Sequence, residues 1–165
     1  MPISAIQRIF NAIILPYFDY ADIVWGHSYS THIQRLNKLQ IRASKIVLKK
    51  SYDFPSDIAM KRLNWISIKS RIKYHSVLYI YKALNNMAST LSSSFFTYST
   101  TRTSTRLGDE KKLKLIKPNN NFYLNSLFYT GVKHYNELSY DFRNSYIFST
   151  FKRLSLNFFS NLDNV

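Results

Sequence analysis

Residues Thr31 to Lys49, THIQRLNKLQIRASKIVLK, constrain the fold more than any other stretch, because two periodicities run through them at once. Ile33, Leu36, Leu39, Ala43, Ile46 and Val47 recur at three- and four-residue steps. On a helix of about 3.6 residues per turn these steps make one apolar stripe that packing must cover. Arg35, Lys38, Arg42, Lys45 and Lys49 recur at similar steps and form a second stripe roughly 130° round the helix from the first. Ser30 or Thr31 is the expected N-cap, its hydroxyl accepting from a free N–H of the first turn. No acid lies between Asp22 and Asp53, so the cationic row has no salt-bridge partner on its own helix. Its counterpart is either water, as on any solvated helix face, or an external anion.

The charge balance extends this asymmetry to the whole chain. Lys and Arg number 23 against 9 acids among 165 residues, a formal net charge of +14 with pI near 10.0. No acid falls between Asp57 and Asp109, whereas Lys61, Arg62, Lys69, Arg71, Lys73, Lys82, Arg102 and Arg106 all do. The excess therefore belongs to the body of the fold and favours nucleic acid as partner, then an anionic membrane surface. A hydrophobic content of 45% is enough for a core in one domain, or in one small domain with an appendage. There is no cysteine, which excludes disulfides, thiolate zinc sites and cysteine nucleophiles. No apolar run approaches the roughly 20 residues of a membrane span, and the N-terminus lacks a signal-peptide layout. An intracellular protein, nuclear or cytoplasmic, with no transmembrane segment is expected.

In chain order, residues 3–25 read as helix, kink, helix. Ser4 is the candidate cap, Pro16 the breaker, and Gly26 the left-handed stop. Asp19 and Asp22, three apart in helical context, read as partners for arginines rather than as a two-metal site, and Trp25 as a core anchor. Asp53 is a candidate cap for a short helix over about 55–63, with Pro55 in its first turn. A longer helix follows from Ser67 to Asn86, with Ile68, Ile72, Val77, Ile80, Tyr81 and Leu84 on its apolar face. Lys69, Arg71 and Lys73 crowd its first turns, where cations oppose the helix dipole unless an anion offsets them. The Ser/Thr-rich stretch 87–110 reads as loop or linker, and Lys112 to Lys117 as a short exposed strand ended by Pro118. The aromatic-rich remainder reads as helices at about 130–138 and 148–160 around a 139–146 connection, its rings packing rather than stacking on bases. The expected architecture is mainly α: a small helical bundle with a Ser/Thr-rich loop and at most a short strand or hairpin near 112–117. Its expected segments are 1–86, 87–121 and 122–165.

Catalytic patterns are missing. His27, His32, His75 and His134 show no zinc-site spacing, and Gly26, Gly108 and Gly131 supply no phosphate-cradling loop. No nucleophile elbow is present. No catalytic residue, metal site or cofactor is expected.

The run Ile14-Leu15-Pro16-Tyr17-Phe18-Asp19-Tyr20-Ala21-Asp22-Ile23-Val24-Trp25-Gly26, followed by Ile33 to Ala43, resembles the region just after the catalytic palm in reverse transcriptases of jockey-like non-LTR retrotransposons. Leu63-Asn64-Trp65 leading into Arg71 to Leu84, then Gly131 to Leu138, then Arg143-Asn144-Ser145 leading into Ser149 to Leu154, fit the same order. The resemblance spans about residues 3–158. Ala21 and Tyr135 stand where such relatives often carry cysteine and tryptophan. The resemblance implies a thumb-like, non-catalytic C-terminal fragment of an RNA-directed DNA polymerase from a transposable element. Its metal-binding acids and its palm would lie upstream, and Met1 so close to the match suggests a truncated copy or a cut-out fragment. Its partners would be that palm and a template–primer or element RNA, as RNA or RNA–DNA hybrid, held through the backbone. Arg35, Lys38, Arg42, Lys45 and Lys49 are the expected phosphate contacts, joined by Lys69, Arg71 and Lys73. Five such contacts from the first helix give an expected salt slope of about −4.5. A basic protein- or membrane-surface module and a relic reading frame without function are the alternatives.

Overall fold

Helices dominate the computed structural model, which describes residues 1–27, 30–99 and 111–162. The chain divides into two units by its internal contacts, residues 1–72 with those from Ser160 onward, and residues 73–159. This division follows contacts, whereas the expected segments follow composition.

In the first unit, α1 (Ile3–Ile9) runs into a π-helical turn at Phe10–Ile14 and then α2 (Leu15–Asp19). The irregularity falls just before Pro16. A proline ring opposes the carbonyl four residues back, here Ala12, and the wider π turn opens the ladder at that point. Ser4 lies inside α1, whose cap position is Pro2. α3 (Asp22–Trp25) is entered through Ala21, which is itself left-handed at φ 52°. The expected left-handed stop at Gly26 is right-handed instead, at φ −67°. Glycine is needed there for space: an added Cβ would lie 2.3 Å from the Asp22 carbonyl oxygen and 2.6 Å from Ile72 Cγ2.

α4 (Ser30–Val47) ends two residues before Lys49. Ser30 is its first helical residue, and the cap position, 29, lies outside the described residues. α5 (Ser56–Arg62) has Pro55 as its cap residue and no side-chain cap from Asp53. The next helix, α6 (Ile68–Leu84), starts where Ser67 Oγ accepts from the Ser70 N–H at 3.1 Å. α4, α5 and α6 close alike, with left-handed Lys49, Asn64 and Asn86 at φ 55°, 52° and 55°. In each case the next N–H reaches back to close the last turn: Lys50 to Lys45 O, Trp65 to Met60 O and Met87 to Lys82 O. Two apolar clusters hold this unit. Val47, Leu48, Ala59 and Leu63 pack with Ile6, Phe54 and Trp65, and Ile33, Ile68 and Ile72 pack with Phe18, Trp25 and Leu36.

In the second unit the remainder of α6 supplies Val77, Ile80 and Tyr81 to a larger core with Val132, Tyr135, Phe151 and Phe159. Tyr81 stacks on Phe151 at 4.1 Å and donates to the Ser145 carbonyl at 2.8 Å. The expected loop contains α7 (Thr90–Ser94), and residues 100–110, including Arg102 and Arg106, lie outside the described residues. Among the described residues no strand forms at 112–117. One antiparallel bridge pairs Leu113 with Tyr98. Asn136 completes the pairing from its side chain, accepting from the Leu113 N–H at 2.8 Å and donating to its carbonyl at 2.9 Å. That amide replaces the second neighbour strand a lone segment would need. α8 (Asn121–Leu124), a π turn at Leu127–Gly131, α9 (Val132–Glu137), α10 (Tyr140–Arg143) and α11 (Phe148–Leu162) follow. α10 occupies the stretch expected as a plain connection.

Two stability effects are expected. Gly26→Ala forces its Cβ against backbone and Ile72, and should cost about 1–3 kcal/mol in urea unfolding followed by tryptophan fluorescence. Burial lowers the His134 pKa from its ordinary 6.5, against the opposing pull of Glu137 at 3.2 Å. The unfolded chain therefore takes up a proton at higher pH than the folded one. Stability from this group is complete above about pH 6.5 and falls as pH drops below it. His134→Gln should flatten the pH dependence of the unfolding midpoint between about pH 7 and 5.

Candidate nucleic-acid interface

The orientation of α4 decides which of its cations face solvent. Its buried positions are Ile33, Gln40, Ser44 and Val47, with Leu36 and Asn37 half-buried. Gln40 is 2% exposed, and its amide grips the chain just before α6. It donates to the Ile66 carbonyl at 2.9 Å and accepts from the Ile68 N–H at 3.1 Å. Ser44 satisfies its hydroxyl on the Ile41 carbonyl at 2.7 Å. The buried face thus contains two polar residues and is turned from the expected apolar stripe. Leu39 and Ile46, expected inside, are 55% and 64% exposed.

That rotation places Arg35, Lys38 and Arg42 squarely opposite the buried face, all three exposed, with Leu39 and Ile46 along one edge of the row. The other expected contacts divide. Lys45 is half-buried, donates to the Tyr52 carbonyl at 2.7 Å and sits 5.3 Å from the centre of the Tyr52 ring. Lys49 is exposed but stands beyond the helix, in the left-handed turn that closes it. Lys69 is exposed in the first turn of α6. Arg71 is spent internally: its Nε and Nη2 form a two-pronged ion pair with Asp19, the Nη2 arm at 2.6 Å. Asp19 is therefore an arginine partner, as its spacing suggests, and Asp22 is buried. Lys73 is half-buried and belongs to the second unit, so it is not grouped with the α4 row.

Further exposed cations, which the helical period of α4 does not reveal, are Lys50, Lys61 and Arg62. Lys50 and Arg62 lie 5.7 Å and 5.6 Å from the Phe54 ring centre, so the ring orders both. Asp19 and Asp22 being withdrawn, Asp53 and Asp57 are the exposed acids among the described residues of this unit. The surface is therefore basic at α4, α5 and the start of α6. It has the elements of phosphate contact: separate, solvated cations on rigid helices. Compared with protein-family models, with curated proteins and with solved structures, the chain matches none.

Gln40→Leu keeps the approximate side-chain volume but strands the Ile66 carbonyl and the Ile68 N–H. A buried orphan costs about 1–3 kcal/mol, and the Ile66 carbonyl is only partly buried, so a loss of about 2–4 kcal/mol is expected in chemical denaturation.

Proposed function

We propose that this chain is a non-catalytic nucleic-acid-binding module that grips an RNA or RNA–DNA hybrid by its backbone. In this reading it is the thumb-like, post-palm part of a retroelement reverse transcriptase. The observation that carries the reading is the exposed Arg35, Lys38 and Arg42 row on the face of α4 opposite Gln40, on a helix without a single acid. Phosphate contacts of this kind set affinity and register without reading sequence. An upstream palm as packing partner is supported by exposed apolar side chains on and after α1 and α2: Ile13, Tyr17, Tyr20 and Val24 are 59%, 79%, 80% and 78% exposed. Exposed apolar side chains that adjoin one another are characteristic of interaction sites.

The exposed Leu39 and Ile46 beside the same cations favour a second reading, an amphipathic face lying on an anionic membrane. No helix among the described residues is long and apolar enough to cross a bilayer.

Because Lys45 is tied to Tyr52 and Lys49 lies off the helix, the α4 contribution to the salt slope is revised to three contacts. Changing Arg35, Lys38 and Arg42 together to Gln should make the log–log salt slope for a labelled RNA–DNA hybrid shallower by about 2.7. That equals about a 40-fold loss of salt sensitivity between roughly 50 and 200 mM. Lys45→Gln should change it far less. A wild-type slope near zero, or binding to anionic vesicles that competing RNA leaves intact, would overturn the reading in favour of the membrane one.

A further inference from the structure

Next to the cation row, within the first unit, a cavity of about 450 Å³ opens where α4, α5 and the start of α6 meet. Its size is within the range of small-ligand sites, about 300–1,000 Å³. Asn37 and Ile41 enter it from α4, Ile41 lying one turn on from Lys38. Trp65 enters from the Asn64-Trp65 turn, with Lys61 and Lys69 at exposed positions and Asp57 also in the lining. Two atoms of these side chains are buried and have no hydrogen-bond partner, Asn37 Oδ1 and Trp65 Nε1. One is an acceptor and the other a donor. Burying such atoms unpaired is costly, so native structures rarely leave them without a ligand or water to satisfy them. The Trp65 ring is fixed by stacking on Phe10 at 4.2 Å, which holds its N–H edge in place.

We infer that this cavity takes one unpaired nucleotide of a strand held on α4. Its base edge would be shared between Trp65 Nε1–H and Asn37 Oδ1, and its phosphate held between Lys61 and Lys69. Every base presents a neighbouring acceptor and donor on its pairing edge, so the site selects for being unpaired and not for sequence. Both orphaned atoms are shielded from water, so the base meets them only by displacing side chains of the lining. Asp57 faces the same space, where its carboxylate disfavours a second phosphate. The inference rests on the nucleic-acid reading above, and it adds what the α4 row alone does not supply: discrimination of a duplex end or overhang from continuous duplex.

The test has two arms on the full chain. In ¹H–¹⁵N spectra the two tryptophans give two indole signals. Titration with adenosine monophosphate, and separately with uridine monophosphate, should shift the Trp65 signal. Trp25, whose indole already donates to the Tyr20 carbonyl at 2.6 Å, should stay still. Lys61→Gln with Lys69→Gln, both at exposed positions, should weaken that titration about tenfold. No movement of the Trp65 signal at on the order of 10 mM nucleotide, where even a millimolar site is filled, would overturn the inference. In the second arm a single-stranded overhang on an RNA–DNA hybrid should tighten wild-type binding about tenfold over the blunt hybrid. Trp65→Phe keeps the stacked ring and removes the N–H, so it should lose that gain and still bind blunt hybrid as wild type does. An overhang without effect, or equal loss on blunt and overhanging hybrids, would overturn it. Failure of wild type to bind the blunt hybrid at all would instead sink the α4 reading, with the indole titration still deciding the cavity.

Discussion

The pair of hydrogen bonds from Gln40 to the Ile66 carbonyl and the Ile68 N–H sets the rest of the first unit in place. It ties α4 to the start of α6 at a point where a helix has a free N–H and no turn of its own to satisfy it. With Gln40 inside, Ile33 and Val47 must face the same way, and Arg35 and Arg42 must face the other. An apolar residue at position 40 would pack there but would not fix rotation, because hydrophobic contact is non-directional. A polar clamp costs desolvation and gives orientation in return, and the exposed cation row depends on that orientation.

The second unit uses the same device on a smaller scale. The Asn136 amide meets both backbone groups of Leu113, so a segment with the alternating pattern of a strand is held by one bridge and one side chain. Around it the core is aromatic, with Tyr81, Tyr135, Phe151 and Phe159 all nearly inaccessible. The rings are therefore structural here, as their helical spacing suggests, while Phe122 and Tyr146 remain exposed at 92% and 81%.

What was legible in the sequence follows the reach of each interaction. Period locates α4, α6 and α11 to within a few residues, because those helices run over several turns, whereas the short α5 is marked by Pro55 at its start. The rotation of α4 was not legible. Period counts Leu39 and Ile46 as inside, and the partners that draw Gln40 inward lie 26 and 28 residues away. Asp19 is readable as an arginine partner in kind, but its partner Arg71 is 52 residues distant, so the sequence leaves that cation looking available when it is paired. Lys45 is drawn from the row by a nearer partner, Tyr52, whose carbonyl and ring it meets. The cavity is invisible in the sequence, since the lack of partners at Asn37 and Trp65 exists only in three dimensions.

The capture of Lys45 by Tyr52 and the left-handed turn at Lys49 together fix the length of the row. From Arg35 to Arg42 the axis advances about 10 Å at 1.5 Å per residue. On the proposed reading this matches about three phosphates of one strand, each advancing about 3.4 Å along a duplex. The footprint of α4 is thus about a third of a duplex turn, too short to hold a long duplex by itself. On that same reading, a grip of that size would act as a pawl, released and re-engaged a few base pairs along, as suits a strand that must move past it.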